Sequence, residues 1–214
     1  MAPRPDVSEE RKTEIVNAAA RVFSRKGFSG ARMDDIVSES GLSKGLLYWY
    51  FKSKDAIIVA IMDRLFNPEM DRIRRLASAN GTAAERLMGF ADYTIKEIET
   101  MGRFLPITFE YYSLAFRNRT VRKAFQEFFS VFLGGVAEVI TQGIQAGEFH
   151  DVDAREAALT IGAALEGSVL LWLFDRKMVR LGTQIRTAVA LVVRGMERPR
   201  RTGRPKPVGQ EDRT

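Results

Sequence analysis

Apolar residues recur three and four positions apart along almost the whole chain, and strand-like alternation is hard to find. The pattern predicts an all-α protein of about nine helices. The first should run from Glu9 to Lys26, with Ser8 as N-cap and Glu9 and Glu10 complementing the positive end of the helix dipole. Ile15, Ala19, Val22 and Phe23 form its apolar face, and Gly27 supplies a left-handed stop. Two short helices follow, Met33 to Ser40, closed by Gly41, and Ser43 to Phe51. Ser53 caps a fourth, longer helix carrying Ile57, Ile58, Ile61 and Leu65. Its Asn67-Pro68-Glu69 predicts a kink or a restart, because proline removes one backbone hydrogen bond.

Thr82 and Glu85 have capping-box spacing and open a fifth helix ending near Gly102. A sixth spans Phe104 to Phe116, and Asn118 or Thr120 opens a seventh that ends at Gly147. Asp153 starts an apolar eighth helix through Leu173, and a ninth covers Thr183 to Met196. From Pro199 the chain is rich in Pro, Gly and Arg and almost free of apolar residues, the composition of a disordered tail. The organisation this predicts is an N-terminal three-helix domain over 1–54, a helical-bundle domain over 55–198 and a basic tail over 199–214.

Charge sharpens the picture. The net charge of +6 is concentrated at the ends, with +3 in residues 1–54 and +4 in 198–214 around a middle of −1. A basic end on a near-neutral body suits a polyanionic partner. Zero cysteines exclude disulfides and thiolate chemistry, and one histidine, His150, excludes a His-rich metal centre within one chain. With no phosphate-cradling glycine loop and no persuasive carboxylate pair, an enzyme is disfavoured, and no metal or cofactor is expected. Uncharged apolar runs fall short of a membrane span and the first residues are polar, so a cytoplasmic protein without a membrane partner is expected.

The segment 33–51 carries most of the functional information. Two helices of about two turns are joined by Gly41-Leu42: glycine permits the sharp turn, and leucine plugs the angle between the helices. This is helix-turn-helix organisation, in which the second helix enters the major groove N-terminus first. Ser43 and Lys44 open that helix with a hydroxyl and a cation, and Gly45 allows close backbone approach. Leu47 and Phe51, four apart, should be buried, leaving Tyr48, Trp49 and Tyr50 to face DNA, with Lys54 beside the same backbone.

The stretch from Ala18 to Ala60 resembles the TetR family of repressors. The resemblance rests on Phe23, Gly27-Phe28, Asp35-Ile36, Gly41-Leu42-Ser43-Lys44-Gly45, Leu47-Tyr48-Trp49-Tyr50-Phe51 and Lys52-Ser53-Lys54. It implies a DNA-contacting set of Ser43, Lys44, Gly45, Leu46, Tyr48, Trp49, Tyr50 and Lys54. Where the family commonly opens the preceding helix with Thr or Ser, this chain has Ala31-Arg32. Losing a hydroxyl cap typically costs ~1 kcal/mol. Arg32 either offsets this by reaching a phosphate or is simply solvated.

The resemblance also implies a homodimer on a double-stranded DNA operator, released by a small-molecule effector. The alternative is a constitutive regulator without a ligand. For the dimer, the all-round apolar eighth helix and the ninth offer Leu165, Val169, Ile185, Val189 and Val192 as a four-helix interface. For the ligand, the candidates are Tyr93, Phe104, Phe109, Glu110, Phe132, Glu166 and Trp172. For each aromatic, core packing is the competing role. Glu166, inside an apolar helix, either meets a ligand or pairs internally with Arg103 or Arg119, and internal pairing is the commoner fate of buried charge. Glu166 with Glu110 would favour a lipophilic cation. Gly134-Gly135 reads as close packing, with a hinge as the alternative, and His150 as solvated. In the tail, Gly203-Arg204-Pro205 is faintly similar to an AT-hook; a solvated basic tail is the plainer reading.

Overall fold

The structure, a computed structural model, describes residues 7–101 and 105–198. The chain there is helical throughout: α1 (Val7–Gly30), α2 (Met33–Ser40), α3 (Lys44–Tyr50), α4 (Lys54–Leu76), α5 (Ala83–Met101), α6 (Leu105–Ala115), α7 (Arg119–Gln145), α8 (Ala154–Phe174) and α9 (Leu181–Met196). Among the described residues the only β-type pairing is an isolated bridge between Phe149 and Glu197.

Caps written into the sequence close most of these helices. Ser43 and Ser53 accept the backbone N–H of Leu46 and Ala56. Thr82 and Glu85 form a complete capping box, each side chain accepting the other's backbone N–H, at 3.1 and 2.9 Å. Asn118 caps α7, and Asp153 caps α8.

Three local expectations are corrected. Helix α1 begins at Val7, so Ser8 lies inside it rather than at its cap. Gly27 does break that helix, but with φ 69° and ψ 161° it is extended, a region only glycine enters readily, not left-handed helical. Helix α4 runs through Pro68 without a restart. Buried Ile61 and Met62 on one side and Ile73 and Leu76 on the other hold it against α7, offsetting the single missing backbone bond.

Two apolar clusters organise the molecule. One holds α1 to α3 together: Phe23, Ile36, Leu47 and Phe51 meet Ile57, Ile58 and Met62 of α4. It continues beyond the N-terminal helices, because Tyr111 of α6 and Val121 and Phe125 of α7 belong to it. The other gathers α5, α7, α8, α9 and the end of α4 around Phe90, Val136, Ile140, Ile161 and Ile185. Where α4 crosses α7, a Cβ on Gly135 would stand 2.2 Å from Ile73 Cγ2, whereas Gly134 has nothing within 4 Å. Gly135 is thus the packing glycine of the pair. Near the end of α9, His150 binds the Gly195 carbonyl at 2.8 Å, and Arg198 reaches the Phe149 carbonyl. The imidazole is a fastening of α9 rather than merely solvated.

Helices α7 and α8 are long and apolar enough, by length and composition, to cross a membrane, although charged residues interrupt the apolar run of each. Here they pack on each other, and α8 packs on α9.

Candidate functional site

The α2–α3 unit is built for a turn. Gly41 adopts the left-handed conformation, φ 70° and ψ 5°, and its N–H closes on the Val37 carbonyl. Leu47 is fully buried and Phe51 nearly so, which anchors α3 from beneath. Burying a leucine that well is worth about 2–5 kcal/mol against alanine. The opposite face is left to solvent. Ser43, Lys44, Gly45, Tyr48 and Trp49 are exposed, Trp49 to 74%, while Leu46 and Tyr50 are half-buried. An exposed indole of that degree serves no packing purpose in the subunit. Nor does Gly45: a Cβ there would meet nothing within 4 Å, although glycine inside a helix costs about 1 kcal/mol. The clearance is outward, towards whatever approaches the start of α3.

Ion pairs hold the unit to α1. Glu39 accepts from both Arg21 (2.6 Å) and Arg25, and Asp35 from Lys26 (2.7 Å). These bonds draw both carboxyls below the ordinary carboxylate range. Lys44 reaches Asp34 at 2.7 Å, a bond that raises the ammonium's pKa. Arg32 sits exposed at the start of α2 and makes no side-chain cap bond; Asp35 instead turns back to accept the Arg32 N–H at 2.8 Å. That half of a capping box offsets the missing hydroxyl.

Two sequence-selected residues are engaged inside the protein. Lys54, expected beside DNA, points its ammonium inward at the carbonyls of Phe28 (2.8 Å) and Ala31 (2.6 Å), 4.6 Å above the Phe28 ring. Glu110, expected among ligand-binding residues, accepts the Phe28 N–H at 2.6 Å, and its Oε1 stands 3.2 Å from the Cβ position of Gly27. The loop 27–31 is therefore gripped twice, by α4 through Lys54 and by α6 through Glu110. Sequence reasoning missed this node because the two partners of Phe28 lie 26 and 82 residues away. A further tie joins the α7 cap to α4, Asn118 donating to Asp55 at 2.6 Å.

In the body, the partner of Glu166 among the described residues is a phenol rather than Arg119. Tyr112 OH donates to Glu166 Oε2 at 2.8 Å. Burial pushes the Glu166 carboxyl upward, and the Tyr112 bond partly opposes this. Arg103 lies outside the described residues, as do Phe104, the side chain of Phe109 and the tail with its Gly203-Arg204-Pro205. Phe132 is buried between α7 and α8, where it would meet a Cβ on Gly162 at 3.1 Å. Tyr93 carries the Arg72 guanidinium 3.7 Å above its ring, and Trp172 carries that of Arg176 at 4.4 Å. A surface recess between α5 and α9, lined by Ile95, Gly182, Thr183, Arg186 and Thr187, includes none of the expected ligand residues.

The expected interface residues also change place. Leu165, Val169, Ile185 and Val189 are buried in the subunit's own core, and Val192 packs against it half-buried. The outward stripe is Leu159, Leu170, Leu171 and Phe174 of α8 with Leu191 of α9; Phe174 is 80% and Leu191 64% exposed. A helix apolar on nearly every side does not reveal by periodicity which face turns inward.

Comparison with known proteins agrees with this geometry. The family model described as bacterial regulatory proteins, tetR family, matches residues 15–61, which span the three N-terminal helices and the start of α4. The HTH-type transcriptional regulator YfiR of Bacillus subtilis is 30% identical over 145 residues, covering 67% of this chain and 70% of that protein. The fold matches the transcriptional regulator FadR from Bacillus subtilis in complex with stearoyl-CoA, with a TM-score of 0.74, 22% identity and coverage of 86% of this chain and 99% of that one. It also matches the complex of SmeT, a multidrug-efflux repressor of Stenotrophomonas maltophilia, with triclosan: TM-score 0.80, 18% identity, 94% of this chain and 100% of that one. With its reading helix exposed and its relatives matched well beyond that helix, the chain belongs to the TetR family of DNA-binding transcriptional regulators.

Proposed function

We propose that the protein is a homodimeric repressor that holds a palindromic operator and releases it on binding a small, largely apolar molecule. The observation that carries the DNA half is the outward face of α3, where Trp49 and Tyr48 stand exposed beside Ser43, Lys44 and an unobstructed Gly45. In this reading Lys44 exchanges Asp34 for a phosphate, Ser43 donates its hydroxyl hydrogen, and the aromatic side chains cover sugar or thymine methyl. Leu46, Tyr50 and Arg32 flank that contact, and Lys54 supports it from within by holding the loop before α2.

Two copies joined through the Leu159, Leu170, Phe174 and Leu191 stripe would present their reading helices about one DNA turn apart, roughly 34–36 Å. FadR with stearoyl-CoA and SmeT with triclosan support an apolar ligand within the body. The ligand must bind the released state more tightly than the DNA-bound one.

The test is selection of bound sequences from a random DNA pool at fixed moderate salt. Enrichment of a palindrome is expected. Binding that merely fades with salt and enriches nothing would overturn the reading.

A further inference from the structure

Glu166 is a carboxylate in the interior of an apolar helix, and no described arginine or lysine forms an ion pair with it. Among the described residues it accepts one hydrogen bond, from the Tyr112 hydroxyl to Oε2. The residue is half-buried, so the group is deep but not sealed. From Tyr112 a continuous lane of aromatic rings leads along α7 to α4. Tyr112 stacks on Phe125 with centroids 4.5 Å apart, Phe125 neighbours Phe129, and Phe129 meets Phe128. Phe128 stacks on Phe66 of α4 at 4.2 Å.

We propose that Glu166, with Tyr112 and this aromatic lane, anchors an organic cation: an apolar molecule bearing a quaternary or protonated nitrogen, or an equivalent onium centre. The proposal rests on the ligand-responsive reading above and names its effector class. A buried acid that no described cation pairs with is costly, and an incoming cation supplies a counter-charge. Aromatic faces attract cations and bury their apolar substituents at once. Glu110, the other carboxylate expected in this role, is committed to Phe28. Tyr112 and Glu110 lie two residues apart on α6, so a ligand that draws on Glu166 and Tyr112 acts on the helix that grips the reading head.

The test uses the full chain and two probes of matched shape and opposite charge, tetraphenylphosphonium and tetraphenylborate, titrated calorimetrically and in an operator-release assay. The phosphonium is expected to bind at least about tenfold more tightly than the borate and to release the operator. Glu166→Gln should abolish that preference while still binding operator and sedimenting like the parent. Tyr112→Phe, which leaves the carboxylate, should keep it. Equal binding of the two probes by the parent, or an undiminished preference in Glu166→Gln, overturns the cation assignment. If triclosan, a neutral apolar probe, releases the operator while the phosphonium does not, the cation assignment falls and the ligand-responsive reading survives. If neither does, both fall and DNA binding alone stands.

Discussion

At Gly27 the backbone sits at φ 69° and ψ 161°, and any side chain there would meet both that geometry and the Glu110 carboxylate 3.2 Å away. Gly27→Ala should therefore lower stability by about 1–3 kcal/mol, read as a fall in denaturant midpoint at constant slope. Glu166 gives a prediction in pH. Its folded pKa is raised above the ordinary 4.5, chiefly by burial. Between the unfolded and folded values the native state holds a proton that the unfolded chain has lost, so stability falls as pH rises through that window. Glu166→Gln cannot titrate and still offers Tyr112 an acceptor. Its melting temperature should exceed the parent's at neutral pH, and the gap should close as pH falls below 4.5; a constant gap would contradict this. At this scale the sequence was legible wherever a residue acts on near neighbours, as with the Thr82–Glu85 box or the Gly41 turn. It was illegible for Lys54, Glu110 and Glu166, whose polar partners are set by tertiary approach.

Among the elements, α3 divides its two faces by burial, Leu47 inward and Trp49 outward, and the helix period alone indicated that division. Lys44→Ala combined with Tyr48→Ala removes only outward groups. The double variant should keep the parent's melting temperature and lose most operator affinity in a gel-shift titration; unchanged affinity would remove α3 from the interface. The α4–α7 crossing makes the opposite prediction. Gly135→Ala puts a methyl group within 2.2 Å of Ile73 Cγ2 and 3.2 Å of its carbonyl oxygen. Overpacking of this kind costs about 1–3 kcal/mol, measurable as a lower thermal midpoint, whereas Gly134→Ala should be tolerated or stabilising. Element boundaries followed from caps to within two residues at most ends. Of the kink or restart expected at Pro68, the restart does not occur, because packing holds α4 on both sides of the proline.

For the molecule as a whole, the α8–α9 outer stripe is the largest departure from the sequence reading. The all-α class and the reading head were visible in periodicity and in the 33–51 motif, but the outward apolar face of α8 and α9 was not, since α8 offers apolar residues in every direction. Leu170→Glu with Phe174→Glu charges the exposed stripe and leaves the core leucines and valines untouched. Such a variant should remain helical, sediment as a monomer at concentrations where the parent is dimeric, and bind a palindromic operator far more weakly, because each half-site is then held alone. A dimer that persists would move the association face elsewhere.

The chain has two tryptophans, and they stand at opposite ends of its proposed work. Trp49 is bare on the reading helix, and Trp172 is half-buried on α8 beneath the Arg176 guanidinium. Trp172→Phe thus leaves a protein whose sole indole lies on the DNA face, and Trp49→Phe one whose sole indole lies in the sensing body. The pair makes a label-free optical instrument: emission from one variant follows operator capture, emission from the other follows effector arrival, and stopped-flow traces of the two would show which event comes first.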